Sequence, residues 1–242
     1  FPAIIIGQDP STDLAIIRIP ATNLKPATLG HAYKTQVGED VIAIGHALGL
    51  RGGPTVSKGV ISALNRSIDI DSQTTIVGLL QTDTSINHGN SGGPLVNKEA
   101  KVIGINTAII ESGRGIGFAI NIDESKIIID QLIENGYVKR GFLGITPFNL
   151  TPNLASRFNM PVTQGVIIAD ITSLDSPAFS AGLRQEDIII QLGGSQIGNT
   201  GELSKFLLSH QSGDSVSVTY LRNGERFEAV VSLGENSKER GS

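Results

Sequence analysis

Residues Gln81–Leu95 read QTDTSINHGNSGGPL, and the turn at their centre, Gly89-Asn90-Ser91-Gly92-Gly93, decides how the chain is read. It sets one serine in a tight glycine turn between two β-type runs. Acyl transfer needs that arrangement: an exposed hydroxyl beside backbone N–H groups aimed at the oxyanion that develops on the attacked carbonyl. Glycine at 89 lets its peptide turn the N–H inward, where a β-carbon would interfere. The N–H of Ser91 is the second donor. Taken alone, the same five residues read equally well as a polar turn, since glycine–serine clusters are common connectors in β-proteins.

Outward from this turn the first half is written in strands. Val41–Gly45, Thr55–Leu64, Val102–Ile110 and Ile116–Ile122 are short, rich in β-branched residues and bounded by glycine, which points to a sandwich or barrel. The amino end, FPAIIIGQDPSTDLAIIRI, gives an apolar strand, a polar turn over Gln8–Thr12 and a second strand over Leu14–Ile19. It has no initiator Met and no signal-peptide pattern. A start inside a strand pattern predicts that sequence upstream is missing. After Ile122 the period changes: Ile128, Ile129, Leu132 and Ile133 fall at helical spacing, with Asp123 expected as N-cap, Ile122 and Ile127 as a staple, and Gly136 as C-cap.

From Lys139 a different small domain begins. Its expected elements are a strand entry at Gly141–Ile145, a strand at Gly165–Ile171, a short helix at Ser176–Leu183 and a strand at Asp187–Leu192. An amphipathic helix at Glu202–Ser209 follows, then a hairpin, Val216–Leu221 and Arg226–Val231, across Asn223-Gly224. The reading divides the chain into domains over 1–138 and 139–234 and a polar, frayed tail over 235–242.

The 242 residues are 39% hydrophobic and 17% charged, enough to build a core. Nineteen basic against 23 acidic residues leave a net charge of −4, which argues against a nucleic-acid partner. No apolar run reaches the length of a membrane span. With no cysteine, disulfides, thiolate catalysis and cysteine metal sites are all excluded. Nothing in the sequence suggests a cofactor or metal.

GNSGGPLVN, followed by GIN and then IGFAI, resembles the trypsin-like serine proteases of the HtrA/Deg family. TDLAIIRI at Thr12–Ile19 is similar to the segment that carries that family's triad aspartate, here Asp13. The second domain resembles a PDZ domain, so the likeness covers nearly the whole chain. It implies a mainly β fold: a trypsin-like double β-barrel, truncated at its N-terminus, followed by an α+β PDZ domain. It also implies that Ser91 is the nucleophile, that Asp13 orients the base, and that the Gly89 and Ser91 N–H groups form the oxyanion hole. Ile86, Thr107 and Ile109 would line the primary specificity pocket. These are medium-sized and uncharged, so cleavage after small or medium aliphatic residues such as Val or Ala is expected. Strand packing accounts for Thr107 and Ile109 equally well. Asp83 is read as a structural hydrogen-bond acceptor.

The family's order is His, Asp, Ser, and here no histidine precedes Asp13. His31, His46, His88 and His210 all follow it, and each is read as a solvated side chain. The base is therefore expected in sequence upstream of Phe1. Removing the base from a subtilisin-type triad costs about 10⁶ in kcat, so the 242-residue chain by itself is expected to be nearly inert. The alternative is a non-catalytic pseudo-protease that binds peptides.

In the second domain, Phe142-Leu143-Gly144-Ile145 matches the loop that captures a C-terminal carboxylate in PDZ domains. Leu203 and Leu207 either line the peptide groove or face the core. Within Asn65–Thr75, Arg66 matches the arginine that relays peptide binding to the active site. The resemblance further implies an ATP-independent endopeptidase for misfolded envelope proteins, located in a periplasm or cell envelope, regulated by C-terminal peptides, and trimeric when full length.

Overall fold

The computed structural model describes residues 1–46, 53–109 and 115–235. They form two compact units: Phe1–Ser67 with Val77–Gly136, and Ile68–Ile76 with Tyr137 onward.

In the first unit, β1 (Ile4–Asp9) and β2 (Leu14–Arg18) pair antiparallel as a two-stranded sheet. Six strands then close into a barrel: β3 (Asp40–Gly45), β4 (Thr55–Asp69), β5 (Thr75–Thr82), β6 (Pro94–Asn97), β7 (Val102–Ile109) and β8 (Gly117–Asn121). Their order around it is β3-β4-β5-β8-β7-β6, and closure leaves no unpaired edge. Val41, Ala43, Ile61, Leu80, Leu95, Ile103 and Ala119 point inward and make one core. Strand β5, TIVGLLQT, is nearly continuous in apolar residues and is buried on both faces. That hides the alternation by which a half-exposed strand is recognised, so β5 is not among the strands expected from the sequence. Ile110, expected in β7, lies outside the described residues, as does the tail beyond Glu235.

Helix α1 (Ile122–Asn135) closes this unit, and Gly136 ends it in the left-handed conformation. The N-cap is Asn121 rather than Asp123: the Asn121 side chain accepts the Asp123 N–H at 2.9 Å. Ile122 is thus the first helical residue, not the one before the cap, and it is buried in the core. The expected staple does not form, because Ile127 is 61% exposed.

The second unit contains β9 (Gly141–Phe142), β10 (Ile145–Leu150), α2 (Pro152–Arg157), β11 (Gly165–Ile171) and α3 (Pro177–Ser180). These are followed by β12 (Ile188–Leu192), β13 (Ser195–Gln196), α4 (Thr200–Leu208), β14 (Ser215–Arg222), β15 (Glu225–Ser232) and β16 (Gly234–Glu235). The main sheet runs β10-β11-β12-β14-β15, so β10 is an edge strand. Asn223 and Gly224 both take positive φ, as a two-residue hairpin turn requires. At the end of β14 the Arg222 guanidinium meets the fully buried Asp187 carboxylate, just ahead of β12, through two bonds of 2.7 Å. That hydrogen-bonded contact raises the Arg222 pKa above its ordinary value.

The unit is discontinuous in sequence. Ile68–Ile76, which falls inside the continuous first domain expected from the sequence, belongs to it. Asn149 of β10 binds this segment through its N–H to the Ser72 carbonyl at 2.9 Å and its side-chain amide to Thr75 Oγ1 at 2.9 Å. Asn149 Oδ1 also accepts the N–H of Thr200 at the start of α4 at 2.9 Å. A buried polar network of this kind is specific because each member needs its partners, and no periodicity announces it.

Candidate active site

The serine turn joins β5 to β6 and is clamped from below. Asn90 is fully buried and donates its side-chain amide to the Ser85 carbonyl at 3.0 Å. The Gly92 N–H donates to the Asn106 carbonyl at 2.8 Å, and the Asn106 N–H donates to the Gly93 carbonyl at 2.9 Å. On the other side the His46 N–H donates to the Gly89 carbonyl at 2.9 Å. Gly89 has φ +98°, a conformation costly for a residue with a β-carbon. Its N–H and that of Ser91 have no partner among the described residues. Two free donors flank an exposed serine, as an oxyanion site requires.

Ser91 Oγ donates to the Thr107 carbonyl at 2.9 Å. The Thr107 hydroxyl in turn donates to Asp13 Oδ2. Asp13 follows the β1–β2 turn with φ +57°, and Asp is one of the residues that tolerate the left-handed region. The structure therefore brings Ser91, Asp13, Gly89 and Thr107 together, and one threonine touches both the serine and the aspartate. From the sequence Thr107 is expected either in a pocket wall or in ordinary strand packing. Its contact with Asp13 spans 94 residues of sequence, and no local pattern carries it.

No imidazole contacts Ser91 or Asp13 among the described residues. His88 is exposed on the turn itself, and His46 is exposed at the end of β3. His31 lies 3.3 Å from Asp123, and His210 stacks on Phe206 with ring centroids 4.2 Å apart. Asp83 accepts the Val60 N–H at 2.7 Å, a structural role. Ile86 is 5% exposed and packed in the barrel core, against Gly117, where a β-carbon would collide with it. Ile109 ends β7, and its side chain lies outside what is described. Arg66 donates through Nε to Gln81 at 3.0 Å, which ties β4 to the strand leading into the serine turn.

In the second unit the loop Phe142–Ile145 turns its carbonyls inward. Leu143 O accepts from Ala178 and Gly144 O accepts from Thr172, at 2.9 and 3.0 Å. The N–H groups of Leu143 and Gly144 have no partner among the described residues, although both residues are buried. Unpaired buried N–H groups are rare, and two adjacent ones make a concavity for an anion. Phe142 pairs with Gly234 in the small β9–β16 sheet. Leu203 is 4% exposed and belongs to the core, while Leu207 is half-buried at its margin.

Residues 1–105 match the trypsin-like peptidase domain, and residues 141–233 match the PDZ domain. The chain is 41% identical over its whole length to a probable periplasmic DegP-like serine endoprotease of Chlamydia muridarum, covering 48% of that protein. It is 39% identical over 98% of its length to the serine protease Do-like HtrB of Bacillus subtilis, covering 55% of it. It thus spans about half the length of the curated relatives it matches. Among solved structures, the HtrA-type protease AlgW with a decapeptide superposes with a TM-score of 0.75 at 36% identity, over 97% of this chain and 71% of that one.

Proposed function

Because this chain belongs to the HtrA/Deg family of trypsin-like serine proteases, we propose that it carries the nucleophile, the aspartate and the oxyanion donors of an ATP-independent serine endopeptidase. The observation that supports this is the continuous contact Ser91–Thr107–Asp13 beside two unpaired N–H groups. In the reaction, Ser91 Oγ attacks the scissile carbonyl as its proton leaves to an imidazole. The Gly89 and Ser91 N–H groups then hold the oxyanion; as it collapses the C–N bond breaks and the imidazolium returns the proton to the leaving amine, and water hydrolyses the acyl-enzyme that remains. Asp13, held by the Thr107 hydroxyl, is the group against which that imidazole would be oriented.

The uncharged Ile86, Thr107 and Ile109 favour cleavage after small or medium aliphatic residues. Misfolded proteins of a periplasm or cell envelope are the substrate class, and the whole protein works as a trimer. A C-terminal peptide at Phe142–Ile145 regulates it by shifting an inactive–active equilibrium through Arg66 and its partner Gln81.

A fluorophosphonate reagent tests the nucleophile directly, with Ser91→Ala as control and mass as readout. The 242-residue chain alone is expected to stay unlabelled, since Ser91 gives its proton to a carbonyl rather than to a base. Added imidazole is expected to produce labelling at Ser91. A second reading, a peptide-binding protein without catalysis, draws on the same lack of an imidazole at Ser91. Absence of label in both conditions would favour it.

A further inference from the structure

The free edge of β10 is where a C-terminal peptide would add as a strand, and how much of that edge is open can be counted residue by residue. Gly144 O accepts the Thr172 N–H, so Gly144 faces β11. Residues of β10 alternate in the direction of their backbone groups. The irregularity in the β10–β11 pairing, between Thr146 and Pro147, is an extra residue on the β11 side, since Asp170 and Ile168 face these two neighbours. Alternation along β10 is therefore unbroken, and Ile145, Pro147 and Asn149 turn their backbone groups to the open edge. The Asn149 bond to Ser72 agrees, for its N–H points away from β11.

Two of these three positions are spoiled for a ladder. Pro147 has no N–H to donate. Asn149 has an N–H, but it is already bonded to the Ser72 carbonyl at 2.9 Å. Ser72 lies in Ile68–Ile76, within the same compact unit as β10, and that segment is further fixed by Asn149 Nδ2 on Thr75 Oγ1 at 2.9 Å. What stays open is the unpaired N–H pair of Leu143 and Gly144, both main-chain groups of Ile145, and the Pro147 carbonyl.

We infer that this edge reads only a very short C-terminus: a free carboxylate on the Leu143–Gly144 turn and three residues, one opposite each of Ile145, Thr146 and Pro147. The carbonyl of the third residue from the C-terminus, opposite Pro147, finds no donor there, and anything further upstream meets the Ser72 segment. Recognition then falls on the terminal carboxylate and the last side chains rather than on a long β-ladder. This inference rests on the reading of Phe142–Ile145 as a carboxylate-capturing loop, and the test separates the two.

A library of random octapeptides with free C-termini is selected on the 242-residue chain, and the best binder is resynthesised as a nested series down to the dipeptide and as a C-terminal amide. Affinities are measured by calorimetry. The octapeptide and tripeptide are expected to bind within about twofold of each other, with a sharp loss at the dipeptide and at the amide. Pro147→Ala restores one donor and should tighten binding by roughly 2- to 10-fold, the worth of one net hydrogen bond. A loss of tenfold or more from octapeptide to tripeptide, or no gain in Pro147→Ala, overturns the short slot while leaving carboxylate capture standing. Failure to select any binder, or equal binding of acid and amide, overturns carboxylate capture itself and the short slot with it.

Discussion

The serine turn of the barrel and the Phe142–Ile145 loop of the second unit solve one problem with the same device. Each sets a glycine at positive φ, Gly89 at +98° and Gly144 at +78°, and each fixes carbonyls against the scaffold and leaves two main-chain N–H groups unpaired among the described residues, those of Gly89 and Ser91 in one and of Leu143 and Gly144 in the other. They differ in what must arrive. A bound carboxylate is a standing charge, and two or three N–H groups complete its site from this chain alone. An oxyanion exists only in passing, after a proton has left the nucleophile, so its two donors do nothing until a base takes that proton. The comparison separates binding an anion, which needs backbone geometry, from making one, which also needs an imidazole.

The two glycines themselves give the largest expected effect. A β-carbon at Gly144 would run into Ser176 as well as occupy a left-handed backbone. Gly144→Ala should therefore cost about 3 kcal/mol of stability and remove carboxylate-dependent peptide binding. Gly89 is exposed, so Gly89→Ala should cost only about 1–2 kcal/mol, chiefly backbone strain. Urea titrations of the two variants check the order. Equal costs would mean that the carboxylate loop is no more tightly built than the serine turn.

The sequence showed most of what is local. Asn223-Gly224 marks its hairpin, GNSGG marks the nucleophile turn, and FLGI marks the carboxylate loop, because each depends on residues adjacent in the chain. What escaped is what depends on distant partners. Thr107 reaches Asp13 across 94 residues, and Asn149 reaches Thr75 across 74. The membership of Ile68–Ile76 in the second unit follows from such contacts and from no composition shift. Leu203 and Leu207 show the limit of periodicity: both sit on one face of α4, yet one is in the core and the other at its margin.

Thr107 offers a sharper version of the comparison, because it bonds to both the nucleophile and Asp13. In the imidazole-dependent labelling of Ser91, Thr107→Val should slow the reaction roughly tenfold, since a hydrogen bond to a charged group is worth about 1.5–3 kcal/mol and part is regained from water. Thr107→Ser keeps the hydroxyl and should label at the parent rate. If Thr107→Val labels as fast as the parent, the Asp13 contact is packing, and the serine turn lacks more than a base.

The smallest effect concerns how each unit anchors its charges. The second unit relies on Arg222, half-buried, bonded to the fully buried Asp187. The first uses a rim cluster at the start of α1, where burial pushes the Asp123 carboxyl up but bonds from Lys126, the Tyr33 N–H and His31 prevail and hold it below its ordinary value. A carboxyl depressed in the folded state stabilises fully above its unfolded pKa of about 3.9 and loses that contribution as the pH falls through the folded-state value. Asp123→Asn should therefore be less stable than the parent at neutral pH, by less than about 1 kcal/mol for so accessible a cluster. The gap should narrow once the pH drops below about 3.9 and close in stronger acid. Urea midpoints across that range decide it: a gap that persists in strong acid would mean that Asp123 acts through the shape of its side chain, and that the charge of this rim is incidental to the stability of the barrel unit.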